Sequence, residues 1–133
     1  MARIYREMPL NSIWEGAGNI MALDLLRALR SGPVAEALMH ETAAARAAHA
    51  GVQRLARSVH HAIEVTTDEA QARRLAKDVA LLLQASLLRQ LSSDEVFEAF
   101  CASRINQAAD IFGLLPSGLD LTAVIARAMP QEH

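Results

Sequence analysis

Apolar residues recur at helical spacing along most of this chain. In the first such segment, Ile20, Leu23, Leu26 and Leu29 follow one another every three positions. Because residues three or four apart lie on one face of an α-helix, this spacing predicts a helix that ends before the Ser-Gly-Pro sequence at 31–33. No long segment alternates apolar and polar residues as a half-buried strand would. The pattern therefore predicts an all-α protein, folded as an antiparallel helical bundle.

Breaker residues divide the rest of the chain into four more predicted helices. Thr66 with Glu69, and Ser92 with Glu95, match the capping box, in which two side chains bond the backbone N–H groups of a first helical turn. Gly51 could bend the long second helix. The four predicted helices run over about 34–63, 66–91, 92–112 and 120–128.

Each predicted helix carries apolar positions that should face the core. The third helix is apolar almost all round, so we expect it to lie at the centre of the bundle. The expected core residues are Leu38, Ala45, Val52, Leu55, Val59 and Ile63 in the second helix, Leu75, Val79, Leu82, Leu83 and Leu87 in the third, and Val96, Phe97, Phe100, Ile105, Ala108 and Phe112 in the fourth.

Composition agrees with this picture and restricts the class of protein. The 133 residues suffice for one domain, and 52% hydrophobic with only 4% aromatic residues favours packed helices over a β-sandwich. The net charge of −2 points to no particular partner. The N-terminus has no apolar signal-peptide core, and the most apolar run, 79–88, is far shorter than the about twenty residues of a membrane span. We therefore expect a soluble, cytoplasmic protein.

The first 18 residues are predicted to form an extended arm, and residues 19–133 the helical bundle. The arm holds much apolar surface for a segment without a partner element. It could fold back over the bundle, or it could pack on something absent from this chain. Its apolar residues are Ile4, Tyr5, Met8, Leu10, Ile13 and Trp14.

Residues 13–21 read IWEGAGNIM and carry a resemblance to a known family. This sequence is similar to a motif near the C-terminal end of acyl-CoA dehydrogenases. The longer run YREMPLNSIWEGAGNIMALDLLRAL resembles the AidB-type alkylation-response branch more closely, in which Trp replaces Tyr and small residues replace Thr. The similarity covers about residues 3–29. Such proteins are several hundred residues long, so the resemblance implies the C-terminal helical part of an FAD-dependent flavoprotein with an acyl-CoA dehydrogenase C-terminal fold.

The resemblance implies a catalytic role for the arm. Glu15 would be the base that takes the α-proton of an acyl-CoA thioester, because a carboxylate in a dry pocket is a stronger base. Trp14 would form an aromatic wall beside FAD or the acyl chain. Gly16 would let the backbone approach the substrate closely.

The resemblance also implies contacts to the FAD cofactor. Ala17, Gly18 and Asn19 would open a helix whose N–H groups favour the anionic pyrophosphate of FAD. Ala17 stands where many relatives have Thr, so one hydroxyl contact to FAD is missing. That departure puts conventional dehydrogenase activity in doubt.

The chain has no β-domain and no other nucleotide-binding motif, although the family's flavin lies between a β-domain and the C-terminal helices. We therefore predict that the isolated chain is inactive and binds FAD weakly or not at all. Whether the protein is an enzyme thus depends on its partners. The implied partners are the remainder of the flavoprotein, an acyl-CoA-type substrate and further copies in a homo-oligomer.

The second predicted helix has a basic face. Residues 42–63 include no acid, and at about 100° per residue Arg46, Gln53, Arg57 and His60 share one side. Arg54, His49 and His61 flank that side, and Arg73, Arg74 and Lys77 on the next helix could extend it. This could be an ordinary solvated face. Alternatively, these six Arg and Lys residues bind the phosphates of double-stranded DNA, which would make the chain a DNA-binding or subunit-interaction module of an AidB-type DNA-protection protein.

Two histidines, the single cysteine and one arginine of the first helix are further candidates for a functional role. His60 and His61 point in different directions on a helix, so no metal site is predicted. Cys101 is expected to be a small core residue. Arg27 could reach the substrate or DNA cavity of a full-length protein, or it could form a surface salt bridge with Asp24.

Overall fold

The computed structural model describes Arg6 and residues 18–65, 69–106 and 121–128. Within these ranges there is no strand, and the predicted all-α bundle is confirmed. The helices are α1 (Gly18–Arg30), α2 (Pro33–Glu41), α3 (Ala43–Ala48), α4 (Ala50–Val65), a 3₁₀ turn (Glu69–Gln71), α5 (Ala72–Leu91), α6 (Asp94–Phe100), a π-helical turn (Cys101–Ile105) and α7 (Leu121–Ala128).

Helix α1 forms where the apolar spacing predicts it. Leu26 and Leu29 are buried, whereas Ile20 near the start of the helix is exposed. Gly32 then adopts a φ of +82°, a conformation that favours glycine, and so separates α1 from α2. Pro33 opens α2, where its missing N–H costs no hydrogen bond.

The prediction of one long second helix is wrong, because the chain forms α2, α3 and α4 instead. The helix is interrupted at Thr42 and at His49, and not at Gly51, which lies inside α4. His49 takes an extended conformation with φ −142° and ψ 123°. Helical hydrogen bonds meet at both interrupting residues without spanning them. The N–H groups of Thr42 and His49 each donate to the preceding helix, and their carbonyls accept from Arg46 N–H at 3.0 Å and from Gln53 N–H at 3.1 Å in the following one.

Thr42 and Ser86 satisfy the backbone at the first interruption. The buried Thr42 hydroxyl donates to the Leu38 carbonyl at 2.9 Å. The Ser86 hydroxyl of α5 donates to the Glu41 carbonyl at 2.8 Å, which ties α5 to the end of α2. A buried carbonyl without such a donor would cost free energy, so this bond helps to fix where α2 ends.

Helix α5 lies at the centre of the bundle, as predicted, and contacts α1, α3, α4 and α6. However, Leu83 and Leu87 were expected in the core and are 38% and 51% exposed. The described helices cover only one side of α5. The other side stays accessible and mixes the leucines with polar residues such as Lys77 and Gln84. The buried core consists of Ala22, Leu26, Leu29, Leu38, Ala45, Val52, Ala56, Val59, Ala72, Leu75, Val79, Leu82, Ala85, Phe97 and Cys101, with Leu55 and Ile63 partly buried against it.

The fourth predicted helix begins and ends differently from the sequence prediction. Its N-cap is Ser93 and not Ser92, and no side-chain capping bond forms, so the predicted capping box is wrong. After Phe100 the helix widens into a π-helical turn, closed by Asn106 N–H donating to the Cys101 carbonyl at 2.9 Å. The Ser103 hydroxyl donates a hydrogen bond to the Ala99 carbonyl at 2.7 Å, and so competes with the backbone N–H that would bond this oxygen in a regular helix.

Several predictions about the helices fall on residues outside the described ranges. These are the capping role of Thr66, the burial of Ala108 and Phe112, and the arm that precedes Gly18 except for Arg6, which is exposed and helical where an extended arm was predicted. The third predicted helix starts with the 3₁₀ turn at Glu69–Gln71 and becomes α-helical at Ala72. Among the described residues, no helix has both the length and the apolar character needed to cross a membrane.

Candidate functional site

The arm motif meets the described part of the chain at the start of α1. Trp14, Glu15, Gly16 and Ala17 lie outside the described residues, so their implied roles remain predictions. Gly18, the first residue of α1, and Asn19, the second, are both exposed.

The start of α1 is a positively polarised position. Its first turn contains no acidic residue. The guanidinium of Arg73 on α5 lies alongside, with Nη2 3.9 Å from the position that a Cβ on Gly18 would take. The unpaired N–H groups at a helix N-terminus and a nearby guanidinium both favour an anion. The chemistry of these groups therefore fits an anionic pyrophosphate such as that of FAD.

Arg27 forms the surface salt bridge with Asp24, which was one of the two roles considered for it. Its Nη1 lies 2.6 Å from Asp24 Oδ1, and the two side chains are 66% and 62% exposed. Because such an exposed pair is well solvated, it contributes little to stability.

Arg46, Arg57 and His60 line one small cavity together with Met39 and Ala56, and its volume is about 150 Å³. The sequence placed the three basic residues on one face of a single helix. They come together in the structure although Arg46 lies on α3 and the others on α4. His49 joins the two segments directly, because its N–H donates to the Ala45 carbonyl of α3 and its carbonyl accepts from Gln53 N–H of α4.

Arg46 is held in place from α2. It is half-buried, and its Nη2 donates to the Met39 carbonyl at 2.7 Å. Its Nε is buried and has no hydrogen-bond partner among the described residues. An unsatisfied buried donor is costly, more so on a charged group. No sequence pattern could reveal this anchor, because it depends on a backbone carbonyl of another helix.

The other predicted DNA-contacting residues lie away from the Arg46 cavity. Arg54, one turn before Arg57 on α4, donates from Nη2 to Asn106 Oδ1 at 3.4 Å. Arg73 lies beside the start of α1. These two side chains therefore lie in different parts of the bundle.

Arg74 and Lys77 interact with an acid of their own helix. Arg74 lines a second cavity, of about 250 Å³, with His61 of α4 and Asp78 of α5. Burial raises the pKa of Asp78, while the charges of Arg74 and Lys77 act in the opposite direction. The nearby carboxylate reduces the net positive field of this end of α5.

His49 is a structural residue that sequence analysis missed. Its Nδ1 accepts hydrogen bonds from the backbone N–H groups of Gly51 at 3.1 Å and Val52 at 3.4 Å. Its Nε2 lies 3.9 Å from Glu98 Oε2, and its ring packs edge-on against Phe97 with the centroids 6.1 Å apart. His49 thus caps α4 and connects it to α6, a role that a basic residue in a basic segment does not suggest.

An apolar groove runs beside the exposed side of α5. Its volume is about 290 Å³. On α5 itself, Leu83, Leu87 and Leu91 are exposed at successive helical turns, and Leu91 is 75% exposed. Exposed apolar side chains beside an apolar groove make this side of α5 a candidate interaction site. The groove is lined by Leu25, Leu29, Val34, Ala37, Leu38, Glu41, Val79 and Leu83.

Comparison with known proteins shows similarity over a short part of the chain. A stretch of 29 residues is 72% identical to AidB of Escherichia coli (strain K12), whose name gives it provisionally as an acyl-CoA dehydrogenase. The stretch makes up 22% of this chain and 5% of that protein. No protein-family model and no solved structure matches the chain. The match supports the resemblance to the acyl-CoA dehydrogenase family over this stretch alone.

Proposed function

We propose that this chain is the C-terminal helical part of an FAD-dependent, acyl-CoA dehydrogenase-like flavoprotein of the AidB type. The observation that carries the proposal is the 72% identity over 29 residues to a protein of that name. Such high identity over a short stretch is expected for a segment whose individual side chains are needed for function. The exposed apolar surface of α5 adds support, because a part of a larger protein has surfaces that the remainder covers.

In this proposal Glu15 is the catalytic base. Its carboxylate would take the α-proton of an acyl-CoA thioester, and bound FAD would supply the acceptor for the hydride of the β-carbon. By the family resemblance, Trp14 would restrict the space beside the reacting carbons and exclude water, which would make the Glu15 carboxylate a stronger base. Gly16 would leave room for the thioester next to the backbone.

The start of α1 would hold the anionic part of FAD. The backbone N–H groups of Gly18 and Asn19 and the guanidinium of Arg73 supply the positive field. Ala17 offers no hydroxyl, so binding depends on backbone N–H groups and on Asn19. This dependence, together with the lack of any strand within residues 18–65, 69–106 and 121–128, is why we expect weak FAD binding by the isolated chain.

The decisive experiment is Glu15→Gln in the full-length protein from the same source. We expect the variant to keep its FAD and to lose both exchange of the substrate α-proton in heavy water and acyl-CoA-dependent dye reduction. Glu36→Gln, which removes an exposed acid of α2, is the matched control and should keep both activities. Retained α-proton exchange in Glu15→Gln would show that another group is the base.

A second experiment tests the dependence on the rest of the protein. Titration of the isolated 133-residue chain with FAD should give no stoichiometric yellow complex. Tight binding would contradict the proposal that most of the flavin site lies outside this chain.

A second candidate function is double-stranded DNA binding by the basic side of α3 and α4. It is favoured by the absence of acids from residues 42–63 and by the grouping of Arg46 with Arg57. Replacing Arg54 and Arg57 together by Ala should then reduce the salt dependence of DNA affinity. Glu15→Gln should leave such binding unchanged, which separates this candidate from the first.

A further inference from the structure

We infer that the cavity formed by Arg46, Arg57 and His60 is a binding site for a single phosphate monoester group. The inference is independent of the flavoprotein proposal, because it uses neither Glu15 nor FAD. It also differs from the DNA candidate, because the ligand is one terminal phosphate of a small molecule and not a row of backbone phosphates.

Charge and donor chemistry support a phosphate. Two guanidinium groups and an imidazole line the cavity, and no carboxylate belongs to its described lining. Glu64, whose Oε1 lies 3.6 Å from His60 Nδ1, is exposed and does not belong to this lining. Guanidinium groups form short, charge-assisted hydrogen bonds to phosphate oxygens and match their spacing. The two positive charges of the arginines match the double negative charge of a terminal phosphate, whereas a DNA phosphodiester carries only one negative charge.

The cavity is prepared for such a ligand by the position of Arg46. The bond from Arg46 Nη2 to the Met39 carbonyl fixes the side chain before any ligand arrives. Its Nε is fully enclosed by the protein, so the N–H groups left to meet a phosphate oxygen in the cavity are those of the two Nη atoms. Met39 and Ala56 contribute apolar side chains to the cavity wall, while Arg57 and His60 are exposed and therefore accessible to a ligand from solvent.

The size and isolation of the cavity favour one phosphate over a DNA strand. Its volume of about 150 Å³ suits a single small group. A duplex would require further cations spaced along the backbone. The neighbouring Arg54 is instead engaged with Asn106, and no residue of α5 belongs to the described lining of this cavity.

Titration of the ¹⁵N-labelled chain with inorganic phosphate, at a constant ionic strength set with sodium chloride, tests the site. We expect saturable shifts of the Met39, Ala56, Arg57 and His60 amide signals. Arg57→Ala should weaken the affinity about tenfold or more, as expected for the loss of a hydrogen bond between charged groups. Arg54→Ala removes the same charge one turn away on α4 and should leave the affinity within about twofold.

Two results would overturn the inference. One is shifts that do not saturate, and the other is equal weakening by Arg57→Ala and Arg54→Ala, which would indicate a diffuse electrostatic effect. Arg46→Lys provides a further test that keeps the charge, and it should weaken binding because an ammonium lacks the planar donor fork. Adding a short duplex DNA distinguishes the ligand sources: if DNA binds with a steep salt dependence and inorganic phosphate does not bind, the site is not a monoester site.

Discussion

The imidazole Nδ1 of His49 accepts a hydrogen bond from the backbone N–H of Gly51 at 3.1 Å, and so caps the start of α4. We expect His49→Ala to lower the free energy of unfolding by about 1 kcal/mol, the usual value of an N-cap. His49→Asn should recover most of this loss, because Asn is a good N-cap residue. Urea unfolding followed by circular dichroism measures the difference, and His61→Ala, an exposed histidine of the same helix, is the control. Equal values for His49→Ala and His61→Ala would disprove the capping role.

Gly51 has no room for a side chain. A Cβ at this position would lie 2.8 Å from His49 Cε1 and even closer to Asn106 Oδ1. We expect Gly51→Ala to cost about 1–3 kcal/mol, because one of these neighbours must move. Adding Asn106→Ala should recover part of the loss. Gly18→Ala, whose Cβ would meet only Arg73 Nη2 at 3.9 Å, should change stability little in the same unfolding measurement.

Leu82 and Leu87 lie on opposite sides of α5 and should respond differently to truncation. Leu82 is completely buried, so Leu82→Ala should cost about 2–5 kcal/mol through lost packing and a cavity. Leu87 is 51% exposed, so Leu87→Ala should change the stability of the isolated chain by less than about 0.5 kcal/mol. Chemical denaturation of both variants measures this. A large loss for Leu87→Ala in the isolated chain would mean that something within the chain covers this side of α5.

Cys101 should be an unreactive thiol in the folded protein. It is fully buried, and burial, followed by the charge of Glu98, raises its pKa to about 12 from an ordinary value of 9.0. The neutral thiol therefore contributes stability that is fully present below pH 9.0 and is lost as the pH rises towards about 12. Comparing the alkaline stability of the wild type with that of Cys101→Ala isolates this contribution. In addition, a thiol reagent should label Cys101 only as fast as the chain unfolds, and rapid labelling of the native protein would contradict its burial.

The local spacing of apolar residues was sufficient to predict those helices whose position depends on burial alone. The spacing of Leu26 and Leu29 predicted α1, and the turn that ends it depends on Gly32 and Pro33, two residues with strong backbone preferences. The central position of α5 was also predictable, because Leu75 and Leu82 lie on a helix too apolar to be left at the surface. These features follow from the chemistry of neighbouring residues, so no distant contact is needed to define them.

The candidate site was only partly predictable, because local patterns do not show contacts between distant residues. The 100° period grouped Arg46 with Arg57 and His60, and the structure brings these three residues to one cavity. The period could not show that Arg54 turns to Asn106, because that contact joins residues far apart in the chain. Nor could it show that Arg46 is anchored on the Met39 carbonyl, since a main-chain oxygen leaves no mark in the sequence.

The sequence by itself determined the helical class of this protein, the position of α1 and most of its core, because apolar periodicity acts over a few residues at a time. Only the tertiary structure decided that the second helix is interrupted at Thr42 and His49 and that Leu87 is left exposed. Each of these outcomes depends on groups that arrive from other helices. The Ser86 hydroxyl donates to the Glu41 carbonyl at the end of α2. The imidazole of His49 contacts Phe97 and Glu98 of α6. The exposure of Leu87 depends on which helices pack around α5, and the amino-acid pattern of α5 does not contain that information.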